Sequence, residues 1–179
     1  MRLFLAVELP RGVRDELAHW TREAVGRGSQ PRRVEPESLH ITLCFLGEQP
    51  SSAVTRIAAA LDDSAELVGA VDELRLGAPV WLPLRRPRVL AVEVGDPSGA
   101  LRRLRDALAG ELARSLAWDP GHERFRPHVT VARMRPGSQR ARALPPTPPL
   151  RFAPTAATLF RSSLDADRAR YEALASVAG

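Results

Sequence analysis

Leu39-His40-Ile41-Thr42-Leu43 and Pro127-His128-Val129-Thr130-Val131 each carry a histidine and a threonine one residue apart, with apolar residues filling the alternate positions. In an extended strand successive side chains take opposite faces, so His40 and Thr42 share one side while Ile41 and Leu43 share the other. His128 and Thr130 are set against Val129 and Val131 in the same way. Each string thus offers an imidazole beside a hydroxyl on one side of a sheet whose other side is apolar. Imidazole titrates near neutrality, so one ring can take a proton while the other gives one. Two hydroxyls can hold the charge that develops on a phosphoryl oxygen. This combination suits phosphoester chemistry without a metal. Zinc asks for three or four protein ligands, and neither string has a second histidine or a carboxylate at ligand spacing.

Other residues are candidates by position. Arg126, two residues before His128, has the strand parity to share its face; the adjacent Phe125 could offer an aromatic ring to a base, though a core role fits it better. Arg133, five residues after His128, faces away by simple alternation, and a bulge or the strand's end would return it. Cys44 shares the parity of His40 and Thr42 and so borders their face, as a packing residue rather than a nucleophile. His19 falls inside a helical pattern as a surface or boundary residue, and His122 follows Gly121 in a loop.

The elements that must position these residues recur. Leu3 to Leu9 reads as a buried strand rather than a signal peptide, because Glu8 and Pro10 interrupt it and no small-residue cleavage site follows. A helix follows from Arg11 to about Arg27, with Val13, Leu17, Trp20 and Val25 as its apolar stripe and Gly26 and Gly28 ending it. A polar loop leads into the first His-x-Thr strand, and Ser51 or Ser52 caps the next helix. Strands are expected at 71–76 and 80–84, the latter broken by Pro83. Arg88 to Val94 then repeats the opening strand, with Ala91-Val92-Glu93-Val94 matching Ala6-Val7-Glu8-Leu9. Asp96 caps a second helix with Pro97 at its first position, running to about Leu116. A loop precedes the second His-x-Thr strand. The opening strands are offset by 85 residues and the histidines by 88. Two repeat-like halves, beginning near residues 1 and 86 of one 1–179 domain, would set the histidines across one cleft. Pro145 to Pro149 reads as a stiff surface connector. Two last strands, 156–162 and 170–177, flank a turn at Asp165-Ala166-Asp167.

The 179-residue chain is 44% hydrophobic, which fits a globular fold, and its apolar stretches are strand-sized, short of a membrane span. All 26 basic residues are arginine, and the net charge of +5 would attract a phosphate-bearing partner. Cys44, the single cysteine, excludes an intrachain disulfide and fits a reducing cytoplasm.

At these residues the chain resembles the RNA 2′,3′-cyclic phosphodiesterases, also called 2′–5′ RNA ligases, of the 2H phosphoesterase superfamily. The likeness begins at Arg2-Leu3-Phe4-Leu5-Ala6-Val7-Glu8-Leu9-Pro10 and continues through Leu39 to Glu48 and Phe125 to Arg133. It closes on Leu159 to Leu164 and Arg170-Tyr171. The resemblance implies a bilobal α+β fold with pseudo-twofold symmetry, two antiparallel sheets lining a central groove and helices outside. It implies metal-independent, cofactor-free hydrolysis of a terminal 2′,3′-cyclic phosphate on RNA to a 2′-phosphate, and the reverse 2′–5′ ligation without a nucleotide cofactor. By the same likeness His40 is the acid on the departing 3′-oxygen and His128 the base on water, a direction the sequence leaves open. Thr42, Thr130 and Arg133 match phosphate-binding positions. The partner is then an RNA end or a cyclic nucleotide, with no membrane, and the chain is taken as a monomer. Two rival readings share the motifs: a phosphodiesterase for a small cyclic-phosphate metabolite or 2′–5′ oligonucleotide, and a non-catalytic RNA-end binding module.

Overall fold

The computed structural model describes residues 1–26, 31–116, 118–121, 124–137, 139–141, 143–165 and 168–179. His122, Gly28 and the turn residues Ala166 and Asp167 lie outside them.

The opening strand β1 (Arg2–Glu8) is buried from Leu3 to Val7 and has a neighbour on each side. Helix α1 (Arg11–Val25) buries Val13, Leu17, Trp20 and Val25 and stops at Gly26, whose φ of 69° suits a residue without Cβ. After the two-residue β2 (Arg32–Arg33) and a 3₁₀ turn comes β3 (His40–Glu48), the first motif strand. The helix expected after Ser51 or Ser52 is α2 (Val54–Asp62), entered through a 3₁₀ turn with no side-chain cap bond. It is followed by α3 (Ala65–Gly69). The two strands expected at 71–76 and 80–84 are one, β4 (Leu74–Leu82). Its pairing skips between Leu76 and Pro79, and that irregularity accommodates a proline inside a strand.

The second half opens with β5 (Val89–Gly95) and α4 (Ala100–Leu116). Asp96 accepts from the N–H groups of Leu101 and Arg102 at 3.3 and 2.9 Å, so it caps α4 across a turn rather than directly ahead of Pro97. The second motif strand is β6 (His128–Arg133). The short β7 (Arg151–Phe152) precedes a long closing hairpin, β8 (Ala156–Asp165) and β9 (Arg168–Ala178).

The strands run antiparallel in the order β7-β4-β5-β6-β3-β1-β8-β9, with β2 laid on β6. They form one nine-stranded sheet with two halves, β7-β4-β5-β6 and β3-β1-β8-β9. The halves meet at one ladder pair, Ile41 with Val129. That pair lies between the histidine and threonine of each motif. Both side chains point into the core and are fully buried. The helices cross over: α1 packs on β6 and α4 on β3, so each half's first helix covers the other half's motif strand. No helix among the described residues is long and apolar enough to cross a membrane.

Candidate active site

Antiparallel pairing of Ile41 with Val129 sets His40 opposite Thr130 and Thr42 opposite His128 on the other face. The four motif side chains therefore form a block where the two halves of the sheet join. They line one open cleft of about 820 Å³, together with Arg133, Arg32, Phe4, Phe45 and Tyr171.

Both rings are held by one device. His40 Nδ1 lies 2.8 Å from the carbonyl of Ser38, and His128 Nδ1 lies 2.7 Å from the carbonyl of Arg126. A carbonyl can only accept, so each Nδ1 carries the proton and each neutral ring keeps its lone pair on Nε2. In both cases the anchor is the backbone two residues earlier, a contact that side-chain identity does not reveal. Register adds a second parallel, because Glu8 of β1 lies opposite His40 and Glu93 of β5 lies opposite His128.

Beyond the threonines both strands bulge. On β3, Thr42 pairs with Ala6 and Cys44 with Leu5, leaving Leu43 as an extra residue. On β6, Thr130 pairs with Ala91 and Ala132 with Leu90, leaving Val131 as the extra one. An inserted residue reverses the alternation that follows. Arg133 is thereby returned to the face of His128 and Thr130, as a bulge was expected to do. Cys44 is turned the other way. It is buried at 2% exposure, does not line the cleft, and burial pushes its thiol up to about 12. Its place on the cleft face is taken by Phe45, 68% exposed, which strict alternation assigns to the core.

The structure places two further candidates outside the cleft lining. Arg126 contributes its carbonyl, while its guanidinium pairs with Glu93 and does not line the cleft. Phe125 packs against the core beneath the guanidinium groups of Arg102 and Arg105, whose carbons lie 5.8 and 5.7 Å from its ring centre. The segment before β6 is not part of that strand, so counting parity back from His128 fails for Arg126. His19 is exposed on α1 beside Glu23 and does not line the cleft.

The environments of the two histidines differ. The His40 ring sits 5.0 Å from the ring of Phe4 and 5.3 Å, edge-on, from Tyr171, with Phe160 at 6.3 Å. Burial, helped by the charges of Arg133 and His128, outweighs the opposing Ser38 hydrogen bond and lowers its pKa to about 4. Phe4 and Tyr171 come from β1 and β9. Phe4 has the parity to be found from β1, whereas Tyr171 reaches His40 only because β8 and β9 continue the first half's sheet. Arg32 reaches the cleft by pairing opposite Arg133.

Fold and site together define a two-lobed protein whose halves each deliver an imidazole, a hydroxyl and a bulge to one cleft. The chain belongs to the 2'-5' RNA ligase superfamily, which it matches over residues 10–166. The RNA 2',3'-cyclic phosphodiesterase of Escherichia coli K12 is 31% identical over 176 residues, covering 97% of this chain and 93% of that protein. The enzyme of the same description from Thermus thermophilus is 35% identical over 161 residues, 85% of this chain and 75% of the relative. Among solved structures, TT0787 of Thermus thermophilus superposes with a TM-score of 0.82 at 28% identity, covering 99% of this chain and 97% of the other. E. coli LigT complexed with 3'-AMP superposes with a TM-score of 0.77 at 28% identity, with the same coverage.

Proposed function

We propose that this protein hydrolyses the terminal 2′,3′-cyclic phosphate of RNA to a 2′-phosphate, without a metal, and that the same site can run in reverse as a 2′–5′ ligase. The observation that carries this reading is the pair of imidazoles, each anchored through Nδ1, lining one cleft with two threonines and Arg133. The described relatives act on this class of bond. Among the described residues no group of three His, Cys, Asp or Glu side chains gathers as a metal site.

In this mechanism water adds to phosphorus as its proton passes to one Nε2. The bond from phosphorus to the ribose 3′-oxygen breaks, and the other ring protonates that oxygen. Thr42, Thr130 and Arg133 hold the non-bridging oxygens as charge accumulates. Following the family likeness, His40 is the acid and His128 the base. The low pKa of His40 favours the opposite direction, because an imidazole neutral above about pH 4 is ready to accept a proton. An anionic phosphate beside His40 and Arg133 opposes that shift, since it stabilises the imidazolium. A substrate with a leaving group that needs no proton separates the two directions: it restores turnover to the variant lacking the acid and not to the one lacking the base.

The two halves are proposed to be repeats of one unit, on the support of matched strands, matched bulges and matched ring anchors. One copy supplies both histidines, which supports a monomer, and the lone buried thiol of Cys44 fits a reducing cytoplasm. The decisive experiment incubates the protein with 2′,3′-cyclic AMP and with a cyclic-ended oligomer, with and without chelator. Formation of a 2′-phosphate in both conditions is expected. A 3′-phosphate product overturns the leaving-group assignment, and loss of activity with chelator overturns the metal-free mechanism.

A further inference from the structure

A second cavity of about 510 Å³ lies between α1 and β2, and its wall carries Arg22, Arg32, Arg33 and Arg135 against one carboxylate, Glu35. Arg32 lines the catalytic cleft as well, so a single guanidinium borders both spaces. The connection follows from the fold. β2 lies on the end of β6 with Arg32 opposite Arg133, and Arg135 follows two residues beyond Arg133. Positive charge therefore continues outward from the phosphate position instead of ending there.

The chemistry of this wall selects among polyanions. Arginine forks match phosphate oxygens and provide several donors each. None of the described residues lining the second cavity is aromatic, so it is equipped to hold backbone phosphates and not to stack bases. A ligand occupying both spaces must present an anion in the cleft and further anions at repeating intervals, as a single strand of nucleic acid does. A mononucleotide or small cyclic-phosphate metabolite fills the cleft alone.

We propose that the phosphodiesters preceding the cyclic end of an RNA strand pass over Arg32 into the cavity of Arg22, Arg33 and Arg135. This inference rests on the proposed hydrolysis and narrows its substrate to oligoribonucleotides, held there without base preference. Arg22 and Arg33 are exposed, so replacing them does not disturb the core.

The test compares the unaltered protein with the Arg22→Ala/Arg33→Ala double variant on a cyclic-ended single-stranded oligomer and on 2′,3′-cyclic AMP. The expected result is a loss of about tenfold in kcat/KM for the oligomer, with cyclic AMP turnover within about twofold of the original. Binding of a fluorescent oligomer ending in a 2′-phosphate should lose salt dependence by about 0.7 in log–log slope for each phosphate contact removed. An Arg103→Ala/Arg114→Ala variant of α4 removes equal charge elsewhere and should keep full oligomer turnover. Unchanged oligomer kinetics and binding in the Arg22/Arg33 variant overturn the proposal, as does an equal loss in the α4 variant. Failure of the unaltered protein to hydrolyse either substrate overturns the proposed hydrolysis instead, and the binding measurement still decides whether this cavity holds RNA.

Discussion

The two motif strands share one plan, and of the positions that face the cleft only one differs between them. From the histidine onward, β3 and β6 bury the second, fourth and fifth residues and turn the first and third toward the cleft. Both bulge at the fourth residue. The sixth then returns to the cleft, where β3 has Phe45 and β6 has Arg133. The histidines diverge in the same sense. His40 is enclosed by Phe4, Phe160 and Tyr171, whereas His128 lies opposite a Glu93 that is paired with Arg126. Equivalent backbones thus support an aromatic side and a charged side. Such asymmetry biases which ring holds the proton that the pair shares.

The largest expected effect comes from removing either ring. His40→Ala and His128→Ala should each lower turnover by about 10²–10⁴, measured on 2′,3′-cyclic AMP, with little change in thermal stability. Retained turnover in either variant would refute the paired-imidazole mechanism. Thr42→Val and Thr130→Val keep shape while deleting a donor, and each should cost up to about 10²–10³ in kcat. A loss confined to one threonine would show that the asymmetry of the halves extends to the hydroxyls.

Exchanging the unlike pair probes the contrast directly. Arg133→Ala should reduce kcat/KM by about 10–10², on the basis that hydrogen bonds to charged groups contribute about 1.5–3 kcal/mol. Phe45→Ala should act less, and mainly through KM, if this ring serves the base and Arg133 the phosphate. Equal effects on kcat from both would remove the division of labour between the two sides.

Proton uptake provides a further measurement. The folded pKa of His40, about 4, lies below the ordinary 6.5, so the unfolded chain binds more protons between these values. Stability contributed by neutral His40 is therefore complete above about pH 6.5 and declines as pH falls toward 4. The slope is at most about 1.4 kcal/mol per pH unit, less where solvent reaches the ring. Urea unfolding at pH 7 and pH 5 should show this decline, and His40→Gln should flatten it. The acid limb of kcat/KM should likewise fall near pH 4, whichever proton direction holds. The smallest effect belongs to Arg126→Ala. Its partly exposed ion pair with Glu93 is worth about 0–1 kcal/mol, and the carbonyl that holds His128 survives the substitution. Turnover should remain within a few-fold of the original.

The quartet of motif side chains was legible because a period of two is a local property: once 40–43 and 128–131 are strands, their histidines and threonines must share faces. The apolar stripe of α1, through Leu17 and Trp20, was legible for the equivalent reason at helical spacing. Alternation failed where the local rule was interrupted. The bulge at Leu43 buried Cys44 and released Phe45, and the non-strand path before β6 took the Arg126 guanidinium to Glu93 and out of the cleft lining. The strands expected at 71–76 and 80–84 are one because an irregular pairing makes room for Pro79 between them.

By itself, the sequence determined the two motif strands, their apolar backs and the repeated order of strand and helix, since these depend on neighbours along the chain. Only the tertiary structure decided that Ile41 meets Val129, that Tyr171 closes on His40, and that Arg32 stands opposite Arg133. Those contacts join residues far apart in the chain, and sheet register and bulge position, which no local period encodes, set which of them can touch.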